Sequence, residues 1–209
     1  MISARITDIH RTKRGRYSVY LDGEFSCVLH EEILAESALR IGQDIDPAEL
    51  EALFVQSQLK LTKERALGLL SLRAYTCQGL MDKLCERADE DIAAQAVERM
   101  LELGLLDDTD YARRCASHLV EVKGYSISRA AQELMRRGID RETAREVLEE
   151  LEVDAQPAIA AVIRRKYMSS LEDEKSLRKA TNALARLGYS YSDIRKVIEN
   201  LLEDESYYD

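Results

Sequence analysis

The residues of this chain that could do chemistry by type and spacing are its arginines and lysines, and that chemistry is recognition of oxyanions. They fall in short blocks: Arg11–Arg16, Arg113–Arg114, Arg136–Arg137, Arg164–Lys166, Arg178–Lys179 and Arg195–Lys196. On exposed helix turns such groups make salt-sensitive contacts to phosphate oxygens, which position a nucleic acid without reading its sequence. The same blocks also suit a plain solvated helix face. The candidates for contacts to DNA or to an acidic protein surface are Arg113, Arg114, Arg129, Arg136, Arg137, Arg164, Arg165 and Lys166. Tyr17, Tyr20, Tyr125, Tyr189 and Tyr191 could stack on bases. Tyrosine is equally an ordinary residue at the edge of a core.

Bond-making chemistry finds no comparable support. His10, His30 and His118 are far apart and lack ligand spacing, so no metal is expected. Cys27, Cys77, Cys85 and Cys115 contain no CxxC pair, and three of them sit in helical patterns. Reduced core thiols and a cytoplasmic location are the expectation. Asp107-Asp108 and Glu149-Glu150 lie at helix ends, where capping and solvation account for them. There is no GxGxxG, P-loop or GxSxG pattern. The chain reads as a non-enzyme without a cofactor.

Composition sets the frame. With 209 residues, 45% hydrophobic and 33% charged, the chain can bury a real core. A net charge of −9 argues against coating DNA through bulk electrostatics, but leaves room for local basic stripes. Two prolines and nine glycines, amid abundant Ala, Leu, Glu and Arg, favour helix. No apolar run approaches the roughly 20 residues that span a bilayer, and Met1–Asp8 lacks a secretory core.

These residues need elements to hold them. Tyr17, Val19 and Leu21 alternate, as do Phe25, Cys27 and Leu29, with Asp22-Gly23 between them as a hairpin signal. Ile2, Ile6 and Ile9 predict a further strand, giving a small antiparallel sheet of about three strands. The helix predicted from about His30 to Ser37 is a candidate to cover it. From Pro47, capped by Asp46, the chain turns helical. The pattern through Arg73 fits one long helix or two helices broken near Thr62. Thr76, Asp107-Asp108, Ser126 and Asp140 read as later caps, and a single helix is expected from Asp108 to about Lys123. A break is expected at Ser169–Ser170, with helix resuming near Asp173. Ser190 and Asp193 form a capping-box pattern.

An internal echo runs through the helical part at an offset of 50 residues. It aligns Leu84, Leu134 and Leu184; Ala88, Gly138 and Gly188; Ala94, Ala144 and Ile194; Val97, Val147 and Val197; and Leu101, Leu151 and Leu201. Such a period marks stacked supersecondary units. The glycines fall where helices need a left-handed terminal residue, and the turn at Ala88 must differ. The fold expected is mainly α: tandem three-helix repeats in an elongated array, preceded by a small antiparallel β module. Four modules are expected, at 1–46, 47–103, 104–152 and 153–209.

The segment Gly104-Leu-Leu-Asp-Asp-Thr-Asp-Tyr-Ala112 resembles the joint between the first two three-helix units of the RecX family of regulatory proteins. Lys123-Gly124-Tyr125 and Glu133-Leu134-x-x-Arg137-Gly138-Ile139 are similar to that family's second unit, and Arg73, Thr76, Leu80, Lys83 and Leu84 to its first. Gly79 and Ser126-Ile-Ser-Arg129 depart from the family's pattern, only Arg129 of the latter being retained. The resemblance implies a modulator that lies along the filament of RecA recombinase on DNA. It would restrain filament growth, ATP hydrolysis and strand exchange. Weak contacts to single- and double-stranded DNA, no membrane partner and a monomeric state go with that reading. The alternative is a helix-turn-helix DNA-binding protein that acts without RecA.

Overall fold

Asp22 and Gly23, with φ of +48° and +90°, close a two-residue turn between β2 (Arg16–Leu21) and β3 (Glu24–His30). A turn with φ positive at both positions matches the twist of the strands it joins. β1 (Ala4–Arg11) pairs antiparallel with β2, and β4 (Asp44–Ile45) pairs with the start of β1. The sheet therefore has four strands in the order β3-β2-β1-β4, one more than the alternation predicted. Two residues are too few to show a period of two, so β4 left no signal in the sequence. The computed structural model describes residues 3–13, 15–167 and 174–206. It divides into two units, Met1–Leu106 and Asp107–Asp209.

Ile6, Val19, Leu29 and Ile45 form the apolar face of the sheet. α1 (Glu31–Ser37) buries no residue and only its Leu34 leans on this core, so it is not the cover the sequence suggested. Seven residues make about two turns, too little surface for the task. Leu50, Leu53 and Phe54 of α2 (Pro47–Leu72) cover the sheet instead. Asp46 caps α2 by accepting from the Ala48 N–H at 2.9 Å. The helix does not break at Thr62, whose hydroxyl donates to the Gln58 carbonyl at 2.8 Å within the helical ladder. Its far half presents Ala66, Leu69 and Leu70 to α3 (Cys77–Cys85) and α4 (Glu90–Glu102). One 26-residue helix thus belongs both to the sheet's core and to the first three-helix core.

The second unit holds α5 (Asp108–Ser117), a π-helical turn at His118–Val122, α6 (Ile127–Arg136), α7 (Arg141–Glu149), α8 (Ala155–Lys166), α9 (Glu174–Arg186) and α10 (Tyr191–Ser206). The break expected at Ser169–Ser170 and the restart at Asp173 lie outside the described residues. Leu134 and Leu184 are fully buried, each at the centre of one core. α5, α6 and α7 enclose Ala112, Ala116, Leu119, Ala130, Leu134, Ala144 and Val147. α8, α9 and α10 enclose Ile159, Ile163, Leu184, Ile194, Val197 and Leu201.

The echo holds at an offset of 50 between the second and third repeats, but slips by one in α4. Ala94 is exposed and Leu101 is 45% exposed, whereas Ala93, Ala96 and Met100 are buried. The cause is the turn. From Leu134 to Ala144 is ten residues, but from Leu84 to Ala93 only nine. After α6 the Gly138 N–H bonds the Met135 carbonyl and the Ile139 N–H the Leu134 carbonyl, with Gly138 at φ +89°. The same pair of bonds recurs at Gly188 and Tyr189. This is the double-bonded left-handed stop that glycine favours. After α3 the Arg87 and Ala88 N–H groups both turn back to the Leu84 carbonyl, and no left-handed residue follows.

Candidate nucleic-acid interface

The eight candidate cations divide by their neighbours. Arg113 makes a two-pronged contact with Glu150, Nε to Oε2 at 3.0 Å and Nη2 to Oε1 at 3.2 Å, from the middle of α5 to the residue that ends α7. Arg114 pairs with Asp110 one turn earlier at 2.6 Å. Arg136 grips Glu133 with two bonds of 2.9 Å. Arg137 donates to the same carboxylate at 3.0 Å and to the Tyr111 hydroxyl at 3.2 Å. Hydrogen bonding from Arg136, reinforced against desolvation by Arg137, holds the Glu133 carboxyl down to about 2. These four guanidiniums already have a protein counter-ion, so a phosphate must compete for them.

Arg129, Arg164, Arg165 and Lys166 have no carboxylate partner among the described residues; the last three are exposed and Arg129 is half-buried. Three of them end α8. Two converge on the segment that joins α5 to α6. Arg165 reaches across from α8, its Nη2 donating to the Val122 carbonyl at 3.4 Å. Arg129 stacks over the Tyr125 ring, 4.4 Å from Cζ to centroid, and the Lys123 ammonium lies 5.8 Å from that same ring. Sequence reading singled out Tyr125 for stacking but passed over Lys123, which no basic neighbour marks.

Backbone geometry builds this seam. At the π-helical turn the Lys123 N–H bonds the His118 carbonyl five residues back, and the Tyr125 N–H bonds the Leu119 carbonyl. The widened turn still delivers Leu119 and Val120 to the core, and such turns are frequent at functional sites. Gly124 follows at φ +71°, and a Cβ there would sit 2.9 Å from Val162 Cγ2 of α8. Glycine thus permits both the turn and the close approach of the next repeat. Ser126, the cap of α6, accepts from the Arg129 N–H at 3.2 Å and donates its own N–H to the Leu187 carbonyl at 2.9 Å. Lys123, Tyr125, Arg129 and Arg165 are therefore fixed on one inter-repeat junction within the second unit. An aromatic ring with two cations within 6 Å of its centroid and a third on the same segment groups the residue types that contact phosphates and stack on bases.

Other chemistry finds no comparable cluster. Among the described residues no three His, Cys, Asp or Glu side chains gather as metal ligands. No helix among them is long and apolar enough to cross a membrane.

Comparison with known proteins gives this arrangement its relatives. Residues 4–46 match the family model described as "Regulatory protein RecX N-terminal domain", and residues 107–148 that described as "RecX, second three-helix domain". Regulatory protein RecX of Clostridioides difficile strain 630 is 27% identical over 207 residues, covering 97% of this chain and 98% of that protein. Regulatory protein RecX of Trichlorobacter lovleyi is 36% identical over 140 residues, 64% of this chain and 91% of the relative. A crystal structure of regulatory protein RecX shares the fold with a TM-score of 0.63 at 21% identity, covering 94% of this chain and 99% of that one. RecX from Lactobacillus salivarius superposes with a TM-score of 0.58, also at 21% identity, over 69% of this chain and 96% of the other. With a 36% identical relative covered over 91% of its length, and family-model matches at residues 4–46 and 107–148, the chain belongs to the RecX family of regulatory proteins.

Proposed function

We propose that this chain is a non-enzymatic regulator that binds the RecA recombinase filament on DNA and restrains its ATP hydrolysis, growth and strand exchange. It acts in the cytoplasm as a monomer, and its modules are 1–46, 47–103, 104–152 and 153–209. The observation that carries the reading is the carboxylate-free basic seam at Lys123, Tyr125, Arg129 and Arg165 in a chain of net charge −9. An acidic protein with one local cationic junction is suited to a composite surface, part protein and part phosphate. Repeats that each supply weak contacts bind such a periodic surface multivalently. The alternative of a helix-turn-helix protein acting without RecA fits less well. Arg141 and Arg145 of α7, the helix after the tight turn, are interleaved with exposed Glu142, Glu146 and Glu149.

The test is titration into a RecA–single-stranded DNA ATPase assay. The rate falls with the native chain and falls much less with the double variant R129E/R165E at equal concentration. An unchanged rate at saturating native protein refutes the proposal. Strong preference for one duplex sequence without RecA installs the alternative in its place.

A further inference from the structure

The first unit carries a counterpart of part of the seam. At the offset of 50 that aligns Leu84 with Leu134, Leu72 falls on Val122, Arg73 on Lys123, Tyr75 on Tyr125 and Thr76 on Ser126. The structure repeats what these residues do. Leu72 and Val122 are both exposed, at 82% and 58%. Arg73 lies over the Tyr75 ring, 4.2 Å from Cζ to centroid, as Lys123 lies by the ring of Tyr125. Each tyrosine leans on the edge of its own three-helix core. Thr76 accepts from the Gly79 N–H at 2.9 Å, as Ser126 accepts from that of Arg129. The backbone arrives differently, since Arg73 follows an uninterrupted α-helix and is extended at φ −163°. A cation over a tyrosine is thus kept by side chains through two unlike linkers. The third repeat has Lys175 at the position of the ring.

The two rings differ in what else covers them. Arg129 stands over Tyr125, and the equivalent position of the first repeat is Gly79. A Cβ at Gly79 would meet Thr76 Oγ1 at 2.9 Å and Tyr75 Cδ1 at 3.9 Å. Apart from its neighbours along the chain, nothing else among the described residues lies within 4 Å of that point. The place that an arginine takes beside Tyr125 is therefore open beside Tyr75. Arg73 is exposed, with no carboxylate partner among the described residues. Asp82, the one carboxylate of α3, accepts from Gln78 Nε2 at 2.8 Å, and Glu86 just past the helix is held by Lys83 and Arg65. A partly exposed ring stacks on the flat face of a base, and a guanidinium beside it takes the neighbouring phosphate. Bases of a duplex already stack on one another, so such a ring selects a single strand. We propose that Tyr75 is a base-stacking site for single-stranded DNA, with Arg73 holding the adjacent phosphate. The choice of DNA rests on the reading of the chain as a regulator of the RecA filament, although the site lies outside the seam that carries that reading. Tyr125, already covered by Arg129, then belongs to phosphate contacts and Tyr75 to a base.

Fluorescence anisotropy of the full chain with a labelled oligothymidylate tests this, beside an abasic strand of equal length that has the phosphates without the bases. Y75L keeps apolar packing but removes the aromatic face. It is expected to weaken oligothymidylate binding about tenfold, within the range for one stacked base, and to leave the abasic strand unchanged. Y75F retains the native affinity for both strands, and R73Q weakens both alike. Y75L causes the same loss in the R129Q/R165Q background, because the site works apart from the seam. Y75W gives the chain its only tryptophan, whose emission oligothymidylate quenches and the abasic strand does not. Oligothymidylate affinity unchanged in a folded Y75L, or lowered equally for the abasic strand, overturns the site and leaves the RecA reading standing. Strand binding intact in Y75L with restraint of the RecA ATPase lost assigns this face to a protein partner and also overturns it. A native chain that binds no single strand overturns the site together with the phosphate half of the proposed function.

Discussion

The Ser126 N–H donates to the Leu187 carbonyl at 2.9 Å, fastening the cap of α6 in one repeat to the end of α9 in the next. The contact requires Gly188. At φ +96° it ends α9, and a Cβ there would lie 2.4 Å from Ser126 Oγ and 2.7 Å from Arg129 Cβ. Gly104 has a comparable φ of +66° but open space around it. G104A therefore costs only left-handed strain, about 1–2 kcal/mol. G188A adds the collision and is expected to cost roughly 3 kcal/mol or more. Urea unfolding of the two variants checks the order. Equal losses would mean that the repeats do not press together at this junction.

Glu133 sets a pH dependence. Its carboxyl is held at about 2, against an ordinary value of 4.5, first by hydrogen bonding from Arg136 and then by Arg137. A folded-state value below the unfolded one contributes stability that is complete above about 4.5 and lost as pH falls toward 2. E133Q should therefore unfold a few degrees (roughly 2–4 °C) below the native chain at pH 7, with the gap closing by about pH 2–3. A gap that persists unchanged at low pH would assign the effect to packing rather than to charge.

The seam and the paired arginines predict different salt behaviour. Removing one phosphate contact lowers the slope of log affinity against log salt by about 0.7 on single strands. R129Q and R165Q should each reduce the slope of DNA binding by about that amount. R113Q, whose guanidinium is occupied by Glu150, should leave it nearly unchanged. A slope reduced equally by all three variants would show that the ion pair opens freely and that the distinction between the two groups has no consequence.

What the sequence revealed followed from locality. Asp22-Gly23, the cap at Thr76 and the stops at Gly138 and Gly188 are written in one or a few adjacent residues, and the structure forms a turn, a cap and left-handed stops there. What escaped depended on partners distant along the chain. The cover of the sheet comes from Leu50, Leu53 and Phe54 rather than from the adjacent α1, because tertiary packing chose the larger face. The block Arg136–Arg137 looked as free as Arg164–Lys166, since Glu133 lies on the same helix and its bonds depend on side-chain geometry. The π-helical turn at His118–Val122 has no signature in its apolar spacing.

The missing residue in the α3–α4 turn makes the sharpest test of the repeat. At a constant offset of 50, Ala94 is the counterpart of buried Ala144, so a charge there should be ruinous and one at Ala93 harmless. The structure reverses this. The shorter turn advances α4 by one position, a rotation of about 100° about the helix axis. Ala93 becomes fully buried against Leu84 and Val97 in the first three-helix core, while Ala94 faces water. A93E places an unpaired carboxylate in that core and should cost more than about 3 kcal/mol, whereas A94E should stay within about 0.5 kcal/mol of the native chain. Thermal or urea unfolding of the pair decides between the registers, and A94E as the more damaging variant would restore the constant offset.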